Sequence, residues 1–154
     1  MKKFTLFMLV ILPLLFSAQK NYKKIPESQI SQERKNIALQ FVNSYTGKCK
    51  SHDYTPFEGF NITGRLKHFL ATNYEKNCGF LNSKYGNVSV EDFQAAYLNR
   101  YSLTRDPVEM FIFRITTEKN PEIRFANVWI YRDQNFVGGI YFSKEPYIER
   151  KYLN

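Results

Sequence analysis

Residues 124–145 read RFANVWIYRDQNFVGGIYFSKE, two apolar runs on either side of the polar break RDQN. Both runs are rich in β-branched and aromatic residues, so they predict two antiparallel strands with a hairpin turn at Asp133 to Asn135. A third strand precedes them as VEMFIFRITT, residues 108–117, set off from IRFANVWIY by the break EKNPE. Side chains alternate across a strand. One face of the middle strand therefore carries Ile123, Phe125, Asn127, Trp129 and Tyr131, and the other carries Arg124, Ala126, Val128, Ile130 and Arg132. Both faces are partly apolar. A sheet covered by helices on one side needs only one apolar face, so the second is expected to meet a cavity, another subunit or a curled part of the same sheet. Gly138 and Gly139 inside the last strand mark a bulge or a close backbone approach.

Upstream the period changes. Ile37, Ala38, Phe41, Val42 and Tyr45 recur at helical spacing in a segment that starts at Ser28, and Gly47 is placed to end it. Residues 46–60, TGKCKSHDYTPFEGF, have glycines, a proline and no period, and read as a loop. Leu66, Phe69, Leu70 and Tyr74 define a second helix. Cys78, Leu81 and Tyr85 define a third, which ends before Gly86 and is weakened by Gly79. Residues 88–102 read either as further helix through Phe93, Ala96 and Tyr97 or as a strand near Tyr97 to Tyr101. Helices first and strands last make an α+β domain with the helices on one face of an antiparallel sheet of about three to five strands. There are no internal repeats.

The chain opens with Lys2, Lys3 and the uncharged run FTLFMLVILPLLF, then turns polar after Ser17 and Ala18. A positive start, an apolar middle of roughly 7 to 15 residues and a small-residue exit are the parts of a secretory leader. A membrane anchor needs about 20 apolar residues, and Pro13 also disfavours an undisturbed helix. The expected division is a leader at 1–18, a mobile lead-in at 19–27, one domain at 28–145 and a tail at 146–154. Loss of the leader leaves 136 of the 154 residues, with 20 basic against 14 acidic side chains, a net +6. The basic residues are scattered and form no nucleic-acid arm. Their expected counterpart is anionic envelope lipid or glycan, or simply water; membrane contact is expected only through the leader.

Cys49 and Cys78 are the only cysteines. An exported chain enters a compartment where a disulfide persists, and closing a loop of about 30 residues would stabilise the fold by roughly 3 to 4 kcal/mol. The alternative is two buried free thiols. His52 and His68 are the only histidines, and no metal-ligand spacing accompanies them. Neither a metal nor a cofactor is expected. Cys49 and His52 match no nucleophile motif, and the triplets NIT and NVS are short enough to arise by chance.

A helical half that ends KYGNV, followed by VEMFIFRIT, RFANVWIYRD and FVGGIYFS, resembles the nuclear transport factor two superfamily, also called the ketosteroid-isomerase-like or cystatin-like fold. The resemblance implies a cone: a curved sheet wrapped around a long helix, a pocket at the open end, and often a homodimer through the outer sheet face. Enzymes of that superfamily set a carboxylate base opposite hydrogen-bond donors in a dry site. The residue types available for this are Glu91, Asp92, Asp106 and Glu109 as bases and Tyr97, Tyr101, Tyr131 and Tyr141 as donors, none of them in a family motif. The expected pocket or interface residues are Arg114, Asn127, Trp129, Tyr131 and Tyr141, with Arg114 a potential anion contact. The sequence thus reads as an exported non-catalytic module that binds a small ligand or a protein partner. A small pocket enzyme and a basic envelope-associated structural protein are the alternatives.

Overall fold

The computed structural model describes residues 22–99 and 106–147. The expected leader, Tyr101 and the tail beyond Tyr147 lie outside them. In chain order the elements are β1 (Tyr22–Lys24), a 3-10 turn (Glu27–Gln29), α1 (Gln32–Lys50), α2 (Gly64–Lys84), β2 (Val88–Asn99), β3 (Val108–Thr117), β4 (Phe125–Tyr131) and β5 (Val137–Ser143). The five strands form one sheet in sequence order, each antiparallel to its neighbours. The α+β class and the helices packed against one face of a curved sheet are as the sequence predicts. Helix α1 lies over β2, β3 and β4, whereas α2 packs on α1 and β5.

The hairpin forms where its residues indicate. Gln134 and Asn135 take positive φ, 60° and 54°, and the Tyr131 N–H donates to the Phe136 carbonyl at 2.8 Å. Gly138 sits at the register shift opposite Trp129 and Ile130. A Cβ there would stand 2.6 Å from the Tyr131 ring, so the close approach needs a residue without a side chain.

Three expectations change and one open alternative is settled. Helix α1 starts at Gln32, with the Ser31 hydroxyl accepting from the Arg34 N–H, and it runs past Gly47 to Lys50. It ends instead with His52 at φ 56°. Asp53 N–H bonds the Lys48 carbonyl and His52 N–H bonds the Cys49 carbonyl, a paired helix stop in which histidine takes the position glycine usually fills. The second and third predicted helices are one, α2. Gly79 faces solvent, and its cost of about 1 kcal/mol is small beside the continuous buried row Leu66, Tyr74, Cys78 and Leu81. Residues 88–99 are strand, because β3 offers a partner along their whole length, with two bulges absorbed on the way. Tyr22–Lys24, read as part of a mobile lead-in, pairs with β2 as an edge strand.

Both faces of β4 are accounted for. Ala126, Val128 and Ile130 join Phe41, Val42, Phe111 and Phe113 in the core beneath the helices. On the other side Phe125 joins Met110 and Ile112, flanked by Tyr22, Tyr97, Trp129 and Tyr147. The second apolar face thus meets rings that include one from each end of the described chain.

Two interactions hold α1 in place. Glu109 on β3 is fully buried, and its carboxylate accepts from Arg34 Nε at 2.6 Å and Nη2 at 3.3 Å and from Arg132 Nε at 2.8 Å. A buried carboxylate is tolerated only with such compensation. At the other end of α1, Cys49 is bridged to Cys78 of α2, with the α-carbons 4.8 Å apart.

Replacing the acid alone strands two guanidinium groups against a buried amide. Glu109→Gln is expected to cost about 3 to 5 kcal/mol, read as a lower urea midpoint with unchanged slope; an unaltered midpoint would show that both arginines turn to water without loss. Thiol labelling of the denatured, non-reduced protein is expected to find no free cysteine, and Cys49→Ala with Cys78→Ala to lower stability by about 3 to 4 kcal/mol.

Candidate ligand-binding site

The residues singled out in the sequence lie mainly on the outer face of the sheet, and most are engaged there. Asn127 is fully buried. Its amide donates to the Tyr141 carbonyl at 3.0 Å and to Ser143 Oγ at 2.9 Å, and its oxygen accepts from the Tyr147 N–H at 3.2 Å. It therefore ties the segment after β5 back onto β4. Trp129 is half-buried; its indole N–H donates to the Tyr22 hydroxyl at 2.9 Å and its ring meets Tyr147 edge-on at 5.0 Å. Tyr141 is exposed and packs edge-on against Tyr147. Arg114 is an exposed side chain 3.8 Å from Asp92, an arrangement that contributes little in water. Trp129 and Tyr131 share a hollow of about 320 Å³ with Tyr22, Asn99 and Asp106 at its walls.

Of the catalytic residue types, Asp106 and Tyr131 border that same hollow. Glu91, Asp92 and Asp106 are exposed and Tyr97 is half-buried in the outer cluster. Glu109 is buried, but both its oxygens already accept from arginine. Cys49 is in the disulfide and has no thiolate to offer; His52 Nδ1 lies 3.1 Å from the Tyr54 hydroxyl. Among the described residues no three His, Cys, Asp or Glu side chains gather in a cluster suited to a metal ion.

A different site is built from the segment that has no period. Residues 51–63 leave α1 and return to start α2, and they are fastened at both ends. At the near end the Asp53 carboxylate accepts from Lys48 Nζ at 2.6 Å and from the Thr55 hydroxyl and N–H. The Lys48 hydrogen bond above all, then the two from Thr55, holds this carboxyl far below the usual carboxylate range. At the far end Asn61 and Thr63 exchange backbone hydrogen bonds with Val137, at 2.8 and 3.0 Å, and Ile62 forms a parallel bridge to the start of β5.

Between these ends the loop turns its rings inward. Phe57 and Phe60 each lie 5.3 Å from Phe41, and Phe57 also meets Tyr74 at 5.2 Å. Their other sides, with Tyr54, Ile62, Leu70 and Phe136, enclose a half-open pocket of about 420 Å³. That volume suits a small organic ligand, and an apolar wall with few polar groups is the usual make-up of such sites. Lys67 is the only charged residue in the lining, and among the described residues its ammonium has no hydrogen-bond or ion-pair partner. The Tyr74 hydroxyl already donates to the Tyr45 carbonyl at 2.8 Å. The sequence held one sign of this site: Tyr54, Phe57 and Phe60 recur at intervals of three in a stretch otherwise made of turn residues.

Buried phenols lie at and behind the pocket wall: Tyr74 lines it, and Tyr45 packs against Tyr74 at 5.0 Å. Burial pushes the Tyr45 phenol up to about 12; burial first, then the nearby Tyr45, Asp53 and Tyr54, raises Tyr74 further still. Both phenols stay neutral in the fold, whereas in the unfolded chain they ionise near pH 10. Stability is therefore expected to be undiminished by these groups below pH 10 and to fall as the pH rises beyond it. Phenolate absorbance followed against pH is expected to show two tyrosines that ionise only together with unfolding. No protein-family model, no curated protein and no solved structure matches the chain.

Proposed function

We propose that the chain is an exported, non-catalytic binding module whose pocket takes a small ligand with a flat or short apolar body and one anionic group. The observation that carries this is the pocket itself: mainly aromatic and aliphatic walls and a single lysine that has no partner among the described residues. Apolar surface supplies the attraction and the ammonium fixes orientation, since a charge-assisted contact contributes about 1.5 to 3 kcal/mol. Export is supported by the leader pattern together with the disulfide, a bond that belongs to oxidising compartments. No helix among the described residues is long and apolar enough to cross a membrane. Membership of the nuclear transport factor two superfamily is part of the same proposal, supported by the strand, helices and four-strand order with the sheet curved over α1.

Anilinonaphthalene sulfonate, an aromatic body with one anionic group, is a suitable probe. It is expected to bind at a single saturable site. Ala71→Trp, which sets a ring in the lining of the pocket, is expected to abolish binding. Lys67→Met is expected to weaken it about tenfold while leaving the uncharged N-phenylnaphthylamine unaffected. Equal binding of the sulfonate by the parent and both variants would rule this pocket out.

A further inference from the structure

Helix α2 presents a second surface, away from the pocket. Phe69 is 40% exposed and Phe80 54% exposed. Eleven residues separate them, which places them about 20° apart around the helix and roughly 16 Å apart along it. Arg65, Lys76 and Lys84, all exposed, fall within about 60° of Phe69 by the same geometry. Thr72, Asn73 and Ser83 complete the stripe. The one acid of the helix, Glu75, is about 120° away from Phe69.

The geometry points to this stripe as a docking surface for an anionic lipid bilayer, with Phe69 and Phe80 entering the headgroup boundary and Arg65, Lys76 and Lys84 meeting lipid phosphates. Three observations favour a bilayer over a protein partner. The two rings stand on one line but too far apart to form a single apolar patch, which fits a plane better than a socket. Every charge among them is positive, and cations near an anionic leaflet are each drawn to it. Lysine and arginine also have apolar stems that lie along the boundary while their charged ends reach water or phosphate. The sequence offered anionic lipid only as one counterpart of scattered basic residues, because these residues are spread over twenty positions and the helix is what aligns them.

The test places a local probe on the stripe. Phe80→Trp in the full chain is mixed with vesicles of phosphatidylcholine alone or with phosphatidylglycerol, each with brominated acyl chains that quench tryptophan on contact. Because quenching reports position 80 itself, it is read independently of residues 1–18. The expected result is quenching by the anionic vesicles beyond that of Trp129 in the parent chain, abolished by high salt. Replacing Arg65, Lys76 and Lys84 by Gln is expected to raise the lipid needed on the order of a hundredfold, about fivefold for each cation. Absence of quenching, or equal quenching by neutral vesicles, would overturn the proposal. So would a lipid-free dimer that dissociates when Phe69 and Phe80 become Ser, since the stripe would then be covered by a second copy.

Discussion

The buried carboxylate of Glu109 is the point on which the arrangement of helix and sheet depends. It sits on the inner face of β3, which it shares with Phe111, Phe113 and Ile115, and it is tolerated because Arg34 reaches it from the first turns of α1 and Arg132 from beyond β4. A one-residue slip of β3 would turn this charge to the outer face, away from both guanidiniums, and would bring Met110 and Ile112 beneath α1 instead. The same interaction therefore sets strand register and the position of the helix N-terminus. The disulfide at Cys49 fixes the other end of α1 against α2. With both ends held, Phe41 and Tyr45 in the middle of the helix present a fixed surface to whatever packs beside them.

That surface is what makes a pocket out of a loop. Residues 51–63 have no ladder of their own, and segments without regular backbone pairing are usually the first to open. Here the opening is opposed at three places: Asp53 at one end, the Val137 backbone at the other, and Phe57 and Phe60 against Phe41 between them. The rings are shared between core and cavity, so the pocket wall is as firm as the core contact behind it. Asp53 couples the loop to acidity in one direction. Its carboxyl is held low, so the contribution is present above the ordinary carboxylate range and is lost as the pH falls through the folded value.

Helix α2 joins these parts because its circumference is divided. Leu66, Tyr74, Cys78 and Leu81 enter the core, Lys67, Leu70 and Ala71 line the pocket, and Phe69 and Phe80 remain exposed. Pocket and stripe are thus supported by one rigid element that the disulfide anchors. The outer face of the sheet has a different character. Its tyrosines and tryptophan are tied to one another and to Asn127, which makes that layer chiefly a means of fastening Tyr22 and Tyr147 to the sheet.

The local pattern determined much by itself. Alternation and β-branched residues mark β3, β4 and β5, the polar break marks the hairpin, Gly138 marks the close approach to Tyr131, and two lone cysteines in a chain with a leader pattern suggest the bridge. These are legible because each depends on residues near in sequence or on a property of the whole composition. Tertiary structure decided what depends on a distant partner. The ambiguous residues 88–99 become strand only because β3 lies beside them, and α2 runs through Gly79 because a buried row continues on both sides. Glu109 is a clamp because Arg34, 75 positions away, folds over it. The pocket escaped the sequence for the same reason: Tyr54, Phe57 and Phe60 are three rings in a loop until Phe41, Leu70 and Phe136 are brought to face them, and only the packed chain shows which side of each ring is left open.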